Sequence, residues 1–170
     1  MQLIEIFAHL FEQTENTQLQ MGAEEPFYQA ATDGRPAVIY FREDFFSSAL
    51  HEIAHWTIAG LERRQQDDFG YWYEADGRTK AQQIEFERVE VKPQAIEWLL
   101  SLASNQTFHF SADNLAQNNK ASDSFKQAVF NQADYYFTKG LPPHAQQLYE
   151  QLNAHFRAGK RQESPCLELV

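Results

Sequence analysis

Two histidines four residues apart in an apolar segment constrain this chain more than any other feature of its sequence. The segment runs from Ser48 to Gly60 and contains His51-Glu-Ile-Ala-His55. On a helix, side chains four positions apart lie on the same face, so both imidazoles can reach one metal ion. Glu52 follows the first histidine and lies near enough to act on a metal-bound water. The sequence therefore predicts the H-E-x-x-H site of a metalloenzyme.

The residues around the motif favour a buried helix. Asp44 can act as its N-cap, and Gly60 supplies a C-terminal stop. Two buried imidazoles cost free energy unless a partner satisfies them, and a metal ion is such a partner. The alternative, a pair of core histidines bonded to backbone groups, is the weaker interpretation on this burial argument.

The length of 170 residues predicts one domain with a single core. We expect residues 1–158 to form a single catalytic metal-binding domain, and residues 159–170 to form a polar tail that can be disordered. Hydrophobic spacing predicts an α+β fold in which a small sheet packs on the metal-binding helix. The expected strands are Phe27–Ala30 and Ala37–Phe41, joined as a hairpin, and Thr107–Ser111. The expected helices are 2–13, 80–90, 93–102, 124–138 and 143–157.

Charge and composition argue against several classes of protein. A net charge of −10 disfavours a general nucleic-acid binder, because phosphate contacts need a positive surface. No apolar run approaches the roughly 20 residues needed to cross a bilayer, and the N-terminus lacks the pattern of a signal peptide. Cys166 is the single cysteine, so no internal disulfide can form. We expect a cytoplasmic protein that does not bind membranes.

A catalytic metal site needs a third protein ligand and at least one open position. Four glutamates follow the motif by roughly 30 to 45 residues: Glu85, Glu87, Glu90 and Glu97. Glu90 lies between Val89 and Val91, where a charge needs compensation, and a metal ion would provide it. We therefore favour Glu90 as the third ligand. Glu87, about one helical turn earlier, is the alternative ligand or a residue that orients one of the histidines.

Two histidines and one carboxylate are compatible with more than one chemistry. With zinc, the set is typical of a small metallopeptidase in which Glu52 acts as general base. With ferrous iron, the same set activates oxygen at its open positions. A structural metal site is the weakest alternative, because such sites usually have four protein ligands and only three are evident.

Longer stretches of the chain closely resemble the elongation factor P hydroxylase family. They cover most of residues 1–115 and are far more specific than the motif alone. The matching stretches are 3–7, 51–60, 68–73, 76–78, 86–95 and 111–115.

The resemblance implies a bacterial enzyme that hydroxylates the lysine of translation elongation factor P already extended with a β-lysyl group. It implies a zincin-like core with an H-E-x-x-H motif and a distant glutamate. By position, His51, His55 and Glu90 would be the metal ligands, and Glu52 would match the motif glutamate. The metal implied is Fe²⁺, with zinc possible in the isolated protein and molecular oxygen as co-substrate.

An aromatic run, Phe69–Tyr73, has two interpretations. It is either core packing or a wall around the long aliphatic substrate arm, in which case Tyr71, Trp72 and Tyr73 contact substrate. Carboxylates flank the run and suit a cationic arm, and we include Asp68 among the substrate-binding residues. The basic residues near the motif, Arg63, Arg64 and Arg78, are expected to touch an acidic partner protein, with Arg78 assigned to substrate binding.

Overall fold

The fold is seen in a computed structural model that describes residues 2–43, 45–67, 78–111, 121–160 and 164–167. Within these residues there are five α-helices and one three-stranded sheet, which confirms the predicted α+β class. The zincin-like description stays a prediction. In chain order the elements are α1 (Gln2–Phe11), β1 (Thr17–Ala23), β2 (Phe27–Gln29), β3 (Ala37–Arg42), α2 (Phe46–Ile58), α3 (Lys80–Ala103), α4 (Asp123–Lys139) and α5 (Pro143–Arg157).

The sheet is mixed, with β3 in the centre. β2 pairs antiparallel with β3, which confirms the predicted hairpin. β1 pairs parallel with β3 on the other side and was not predicted. Its sequence, Thr-Gln-Leu-Gln-Met-Gly-Ala, is half polar, and its inward residues Thr17 and Leu19 form too short a pattern to stand out. The sheet therefore has its most apolar strand, β3, in the middle, where both edges are paired.

Helix α2 contains the motif and packs one of its faces into the core. Its buried residues include Leu50, Ile53 and Trp56, and it ends at Ile58, two residues before the predicted stop at Gly60. Phe45 occupies the N-cap position without a side-chain hydrogen bond. The predicted cap, Asp44, lies outside the described residues.

Helix α3 replaces two predicted helices, and the prediction of a break near residue 92 was wrong. The helix runs without interruption for 24 residues and contains Pro93 in its interior. A proline lacks the N–H that would bond to the carbonyl four residues earlier, which usually ends a helix. Here nearly every residue from Pro93 to Ala103 is buried, so the packing of the residues that follow the proline outweighs that cost. Thr79 starts the helix with a capping box that it shares with Gln82.

Two apolar clusters lie on either side of α3. The larger cluster joins α1, the sheet, α2 and α5, and it includes Phe7, Leu50, Ile96 and Leu148. The smaller one packs α4 against Trp98 of α3. The two C-terminal helices were predicted within one residue of their observed ends.

The predicted strand Thr107–Ser111 was wrong, since this stretch has no regular secondary structure. Phe108 stacks on Trp98 with a centroid distance of 5.1 Å, and Phe110 packs edge-on against the same ring. Aromatic packing on α3, rather than strand pairing, therefore fixes this segment. Near the C-terminus, Pro165 is buried and Leu167 contacts the smaller cluster. No described helix has both the length and the apolar character needed to cross a bilayer.

Candidate metal centre

Helix α2 presents two histidines on the side that is turned away from its core residues. Ala49, Leu50 and Ile53 are fully buried, whereas the His51 and His55 side chains are 22% and 20% exposed. The four-residue spacing brings their rings together, with centroids 4.6 Å apart. The histidines therefore lie on a helix that is anchored in the core, while their own side chains remain partly accessible to solvent.

Helix α3 contributes the opposing carboxylate. Glu90 is 1% exposed. Its Oε1 lies 3.3 Å from Nε2 of His55, and its Oε2 lies 3.7 Å from Nε2 of His51. The two histidine Nε2 atoms are 3.0 Å apart. Two imidazole nitrogens from α2 and the two oxygens of one carboxylate from α3 thus converge on one point.

The distances fit a shared metal ion. Ligand atoms about 2.0–2.1 Å from a tetrahedral ion lie about 3.3–3.4 Å from one another. The separations observed for the three pairs of side chains, 3.0, 3.3 and 3.7 Å, bracket this value, with a different oxygen of Glu90 facing each histidine. Among the described residues, His51, His55 and Glu90 form the one group of three or more side chains arranged to hold a metal ion. The donor set, two imidazoles and one carboxylate, suits both zinc and iron.

A second carboxylate on α3 binds the far side of His51. Oε2 of Glu97 lies 2.8 Å from Nδ1 of His51, and Glu97 is 6% exposed. A hydrogen bond between Nδ1–H and a carboxylate leaves the Nε2 lone pair free to bind an ion. His51 is therefore held between Glu97 on one side and the converging ligand atoms on the other.

Gln94 connects Glu90 to the segment that follows α3. The fully buried Gln94 amide donates to Oε2 of Glu90 at 3.3 Å and to the Ser111 carbonyl at 2.8 Å. It also accepts from the Ser111 N–H at 3.2 Å. Glu90, Gln94 and Glu97 follow the i, i+4, i+7 spacing, so one face of α3 carries the whole set.

The charges in this centre shift three pKa values in the metal-free protein. Burial lowers the pKa of His51, but the carboxylates of Glu97 and Glu90 outweigh it and raise the pKa well above 6.5. For Glu90, burial raises the pKa, but His55 and His51 together lower it to about 2. Burial raises the pKa of Glu52, with the charges of Glu90 and Glu97 adding to the effect. Of the carboxyl groups of Glu52 and Glu90, that of Glu52 therefore takes up a proton more readily.

Glu87, the alternative to Glu90 in the sequence, has a different partner. Its Oε2 accepts a hydrogen bond of 2.8 Å from the Ser122 hydroxyl, which also caps the first turn of α4. Its Oε1 lies 3.5 Å from the Gln83 amide nitrogen. The Glu87 carboxylate thus ties α3 to α4, whereas the Glu90 carboxylate faces the histidines.

The predicted substrate-binding residues are mostly outside the described part of the chain. Asp68, Tyr71, Trp72 and Tyr73 fall in the gap between residues 67 and 78. Arg78 is described and is only 5% exposed, with its guanidinium 3.9 Å from the centroid of the Phe86 ring.

Arg64, expected at a partner surface, is also engaged within the molecule. Its guanidinium donates to the Trp56 carbonyl at 3.0 and 3.2 Å and forms an ion pair with Glu15 at 3.2 Å. Glu15 in turn lies 3.0 Å from Nε2 of His144. This network joins the chain just after α2 to the turn that follows α1 and to α5.

Two residues of the centre were not recognised in the sequence for what they do. Glu97 was considered only as a candidate ligand, and Gln94 was not considered. Glu90, Gln94 and Glu97 are spaced i, i+4 and i+7 in the sequence, within a segment that is otherwise largely apolar. That spacing could have indicated one polar face, but not that this face meets α2.

Two comparisons with known proteins extend over nearly the whole chain. Residues 6–165 match the family described as elongation factor P hydroxylase. The chain is also 51% identical over 155 residues to a protein of Haemophilus influenzae named elongation factor P lysine hydroxylase. That alignment covers 91% of this chain and 87% of the relative.

Proposed function

This chain belongs to the elongation factor P hydroxylase family, and on that basis we propose that it hydroxylates a lysine of elongation factor P. The proposed target is the lysine already extended by a β-lysyl group. The observation that supports the reaction site is the convergence of His51, His55 and Glu90 on one point. The chain is a hydroxylase by family, and we place it in the cytoplasm, where translation takes place.

We propose Fe²⁺ as the working metal and molecular oxygen as co-substrate. Adding oxygen to an unactivated carbon requires an oxidant, and zinc has no redox chemistry to generate one. Two histidines and one carboxylate with open positions are the ligand set of non-haem iron oxygenases. Bound by His51, His55 and Glu90, ferrous iron would supply oxygen activation at its open positions.

The residues around the ligands have separate tasks. Nε2 of His51, Nε2 of His55 and the Glu90 carboxylate would hold the ion between α2 and α3. The partial exposure of both histidine side chains leaves a side from which substrate can approach. Glu52, with its raised pKa, can hold or release a proton beside the ligands, and we propose it as the proton-transferring group.

The substrate arm would carry positive charge on a long aliphatic stem. Tyr71, Trp72 and Tyr73 are proposed to contact the stem, and Asp68 the ammonium group. The net charge of −10 favours the approach of such a cationic arm. Arg78 is less suited to contact substrate, because its guanidinium is buried against Phe86.

The small metallopeptidase alternative uses the same four residues but is not favoured. The family match spans residues 6–165, well beyond the motif helix, and the curated relative carries the name of a lysine hydroxylase. No feature of the described residues favours peptide hydrolysis over hydroxylation.

The test is the intact mass of elongation factor P from cells that lack this gene and are complemented with different variants. Complementation with wild-type protein should make the factor one oxygen atom heavier. His51→Ala should leave the factor without this added oxygen, because one of the three proposed ligands is gone.

His9→Ala is the matched control. His9 is exposed on α1 and is not one of the three candidate ligands, so this variant should restore hydroxylation fully. A factor without the added oxygen in cells that carry the wild type would overturn the proposed reaction, and an added oxygen in cells that carry His51→Ala would overturn the role of His51.

A further inference from the structure

We infer that Glu97 is a positioning residue for the metal ion: its carboxylate fixes the tautomer and the ring orientation in which His51 presents Nε2. The inference rests on the metal site of the proposed function and adds to it the residue that aims one ligand. Glu97 lies two helical turns after Glu90 on α3, so both residues face α2.

The first support is the identity of the bonded atom. Glu97 contacts Nδ1 of His51 at 2.8 Å, while the 3.0 Å and 3.7 Å approaches to His55 and Glu90 are made by Nε2. A neutral imidazole carries its proton on one nitrogen only, and the partner of one nitrogen decides which is free for a metal. A carboxylate can only accept, so Glu97 requires the proton on Nδ1 and leaves Nε2 as the ligand.

A histidine ring can also occupy two orientations of nearly the same shape. Turning the ring by half a rotation about its bond to Cβ exchanges Nδ1 with a carbon, and Nε2 with the other carbon. In the turned position a carbon would face His55 and Glu90. Only the observed orientation keeps the hydrogen bond to Glu97. The contact therefore selects one of two ring positions of nearly equal shape.

The Glu97 carboxylate is also buried. Glu97 is 6% exposed and lies on a helix whose neighbouring residues Ile96 and Trp98 are buried. Burying a carboxylate costs free energy unless a hydrogen-bonded partner compensates it. The partner here is a proposed metal ligand, and an accepting carboxylate also increases the electron density that the imidazole offers to an ion.

The experiment compares wild type with Glu97→Leu and Glu97→Gln. Each purified full-length protein is stripped with a chelator and titrated with Co²⁺ against a competing chelator. The visible absorption of bound Co²⁺ reports its coordination geometry. Glu97→Leu keeps the volume and removes the acceptor, so Co²⁺ affinity should fall about 10- to 100-fold and the spectrum should change. Glu97→Gln keeps a neutral acceptor and should lose less.

Glu15→Gln is the matched control, because Glu15 also pairs with a histidine, His144, at 3.0 Å but outside the metal centre. It should leave Co²⁺ affinity unchanged. Thermal unfolding of each metal-free variant provides a readout of folding alone. A purely structural role for Glu97 predicts a lower unfolding temperature with unchanged Co²⁺ affinity and spectrum in both variants, and that result would overturn the inference.

The same titration separates this inference from the proposed function. Wild-type protein that binds neither Co²⁺ nor Fe²⁺ would overturn both together. Tight binding by wild type and equally tight binding by both Glu97 variants would overturn only the role of Glu97. In that case elongation factor P could still be hydroxylated at an intact His51, His55 and Glu90 site.

Discussion

At the scale of single residues, both ring nitrogens of His51 make close polar contacts. Nδ1 is 2.8 Å from the Glu97 carboxylate, and Nε2 is 3.0 Å from Nε2 of His55. A small rotation of this ring would disturb both contacts at once. His51 is therefore the residue whose replacement should affect the centre most directly.

Glu90 and Glu87 can be told apart by replacing each with glutamine. Glu90→Gln removes the charge that faces both histidines, so metal affinity should fall by more than about 100-fold, beyond the effect of an outer hydrogen-bonding partner. Glu87→Gln should leave metal affinity unchanged, because the Glu87 carboxylate bonds to Ser122. Metal content after dialysis and hydroxylation of elongation factor P measure both effects. Loss of metal from Glu87→Gln with retention by Glu90→Gln would reverse the assignment.

The stability of the metal-free protein should depend on pH through His51. Although burial lowers the pKa of His51, Glu97 and Glu90 raise it well above 6.5 in the folded state. Protonated His51 therefore stabilises the fold fully below about pH 6.5, and this contribution is lost as the pH rises through the folded pKa.

Glu90 makes the opposite contribution in the acid range. The pKa of Glu90 is lowered to about 2, so its stabilisation is present above the ordinary pKa near 4.5 and is lost as the pH falls toward 2.

Urea unfolding of chelator-treated wild type and His51→Gln between pH 5.5 and 9 tests the contribution of His51 to stability. The stability difference between the two proteins should shrink as the pH rises, and a constant difference would contradict the assignment.

The sequence was sufficient to predict that His51, His55 and Glu90 come together, but not that Glu97 would lie against His51. The spacing of His51 and His55 specifies a shared helix face, and the apolar neighbours of Glu90 indicate a buried charge. The role of Glu97 depends on how α3 lies against α2. That relation is set by packing over the whole core, which no local pattern encodes.

At the scale of elements, α3 shows how far local sequence signals extend. Pro93 predicted a break, yet the helix continues through it, and the buried residues that follow the proline hold the second half in place. The hairpin and the two C-terminal helices were predictable because each has its own pattern of spacing and turn residues. β1 was not, because its pairing with β3 joins strands separated by another strand.

The start of α3 provides a test of local stability. The Thr79 side chain accepts a hydrogen bond from the backbone of Gln82, and the Gln82 side chain accepts one from the backbone N–H of Thr79. Thr79→Ala should lower the free energy of unfolding by about 1 kcal/mol, because a helix N-cap is lost. Thr79→Ser keeps the hydroxyl and should cost much less. Equal stabilities for all three proteins in urea unfolding would show that the cap contributes nothing.

At the scale of the whole molecule, the candidate metal centre lies between α2 and α3, and α3 contributes to both apolar clusters. α2 belongs to the larger cluster, whereas α3 contributes Ile96 and Leu100 to the larger one and Trp98 to the smaller one. An ion held by α2 and α3 therefore acts on the part of the fold where most of the core meets.

Metal binding should raise the unfolding temperature. An ion that binds only the folded state at 100 times its dissociation constant stabilises that state by about 2.7 kcal/mol. For a chain of this size, each kcal/mol corresponds to about 2–4 °C, so we expect a shift of roughly 5–10 °C. Calorimetry with and without Fe²⁺ under anaerobic conditions measures it. His51→Ala should show no such shift, and an equal shift in that variant would place the ion elsewhere.

His51, His55, Glu90 and Glu97 all lie on two helices, with residues 59–79 forming the connection between them. Lengthening a connection adds little entropic cost, since the closure penalty grows only with the logarithm of its length. A change in the length of the connection that spares Arg64 and the Thr79 cap therefore leaves the spacing of these four residues along each helix the same. Variants with a lengthened connection should therefore retain metal binding, because His51, His55, Glu90 and Glu97 keep their places on the two helices.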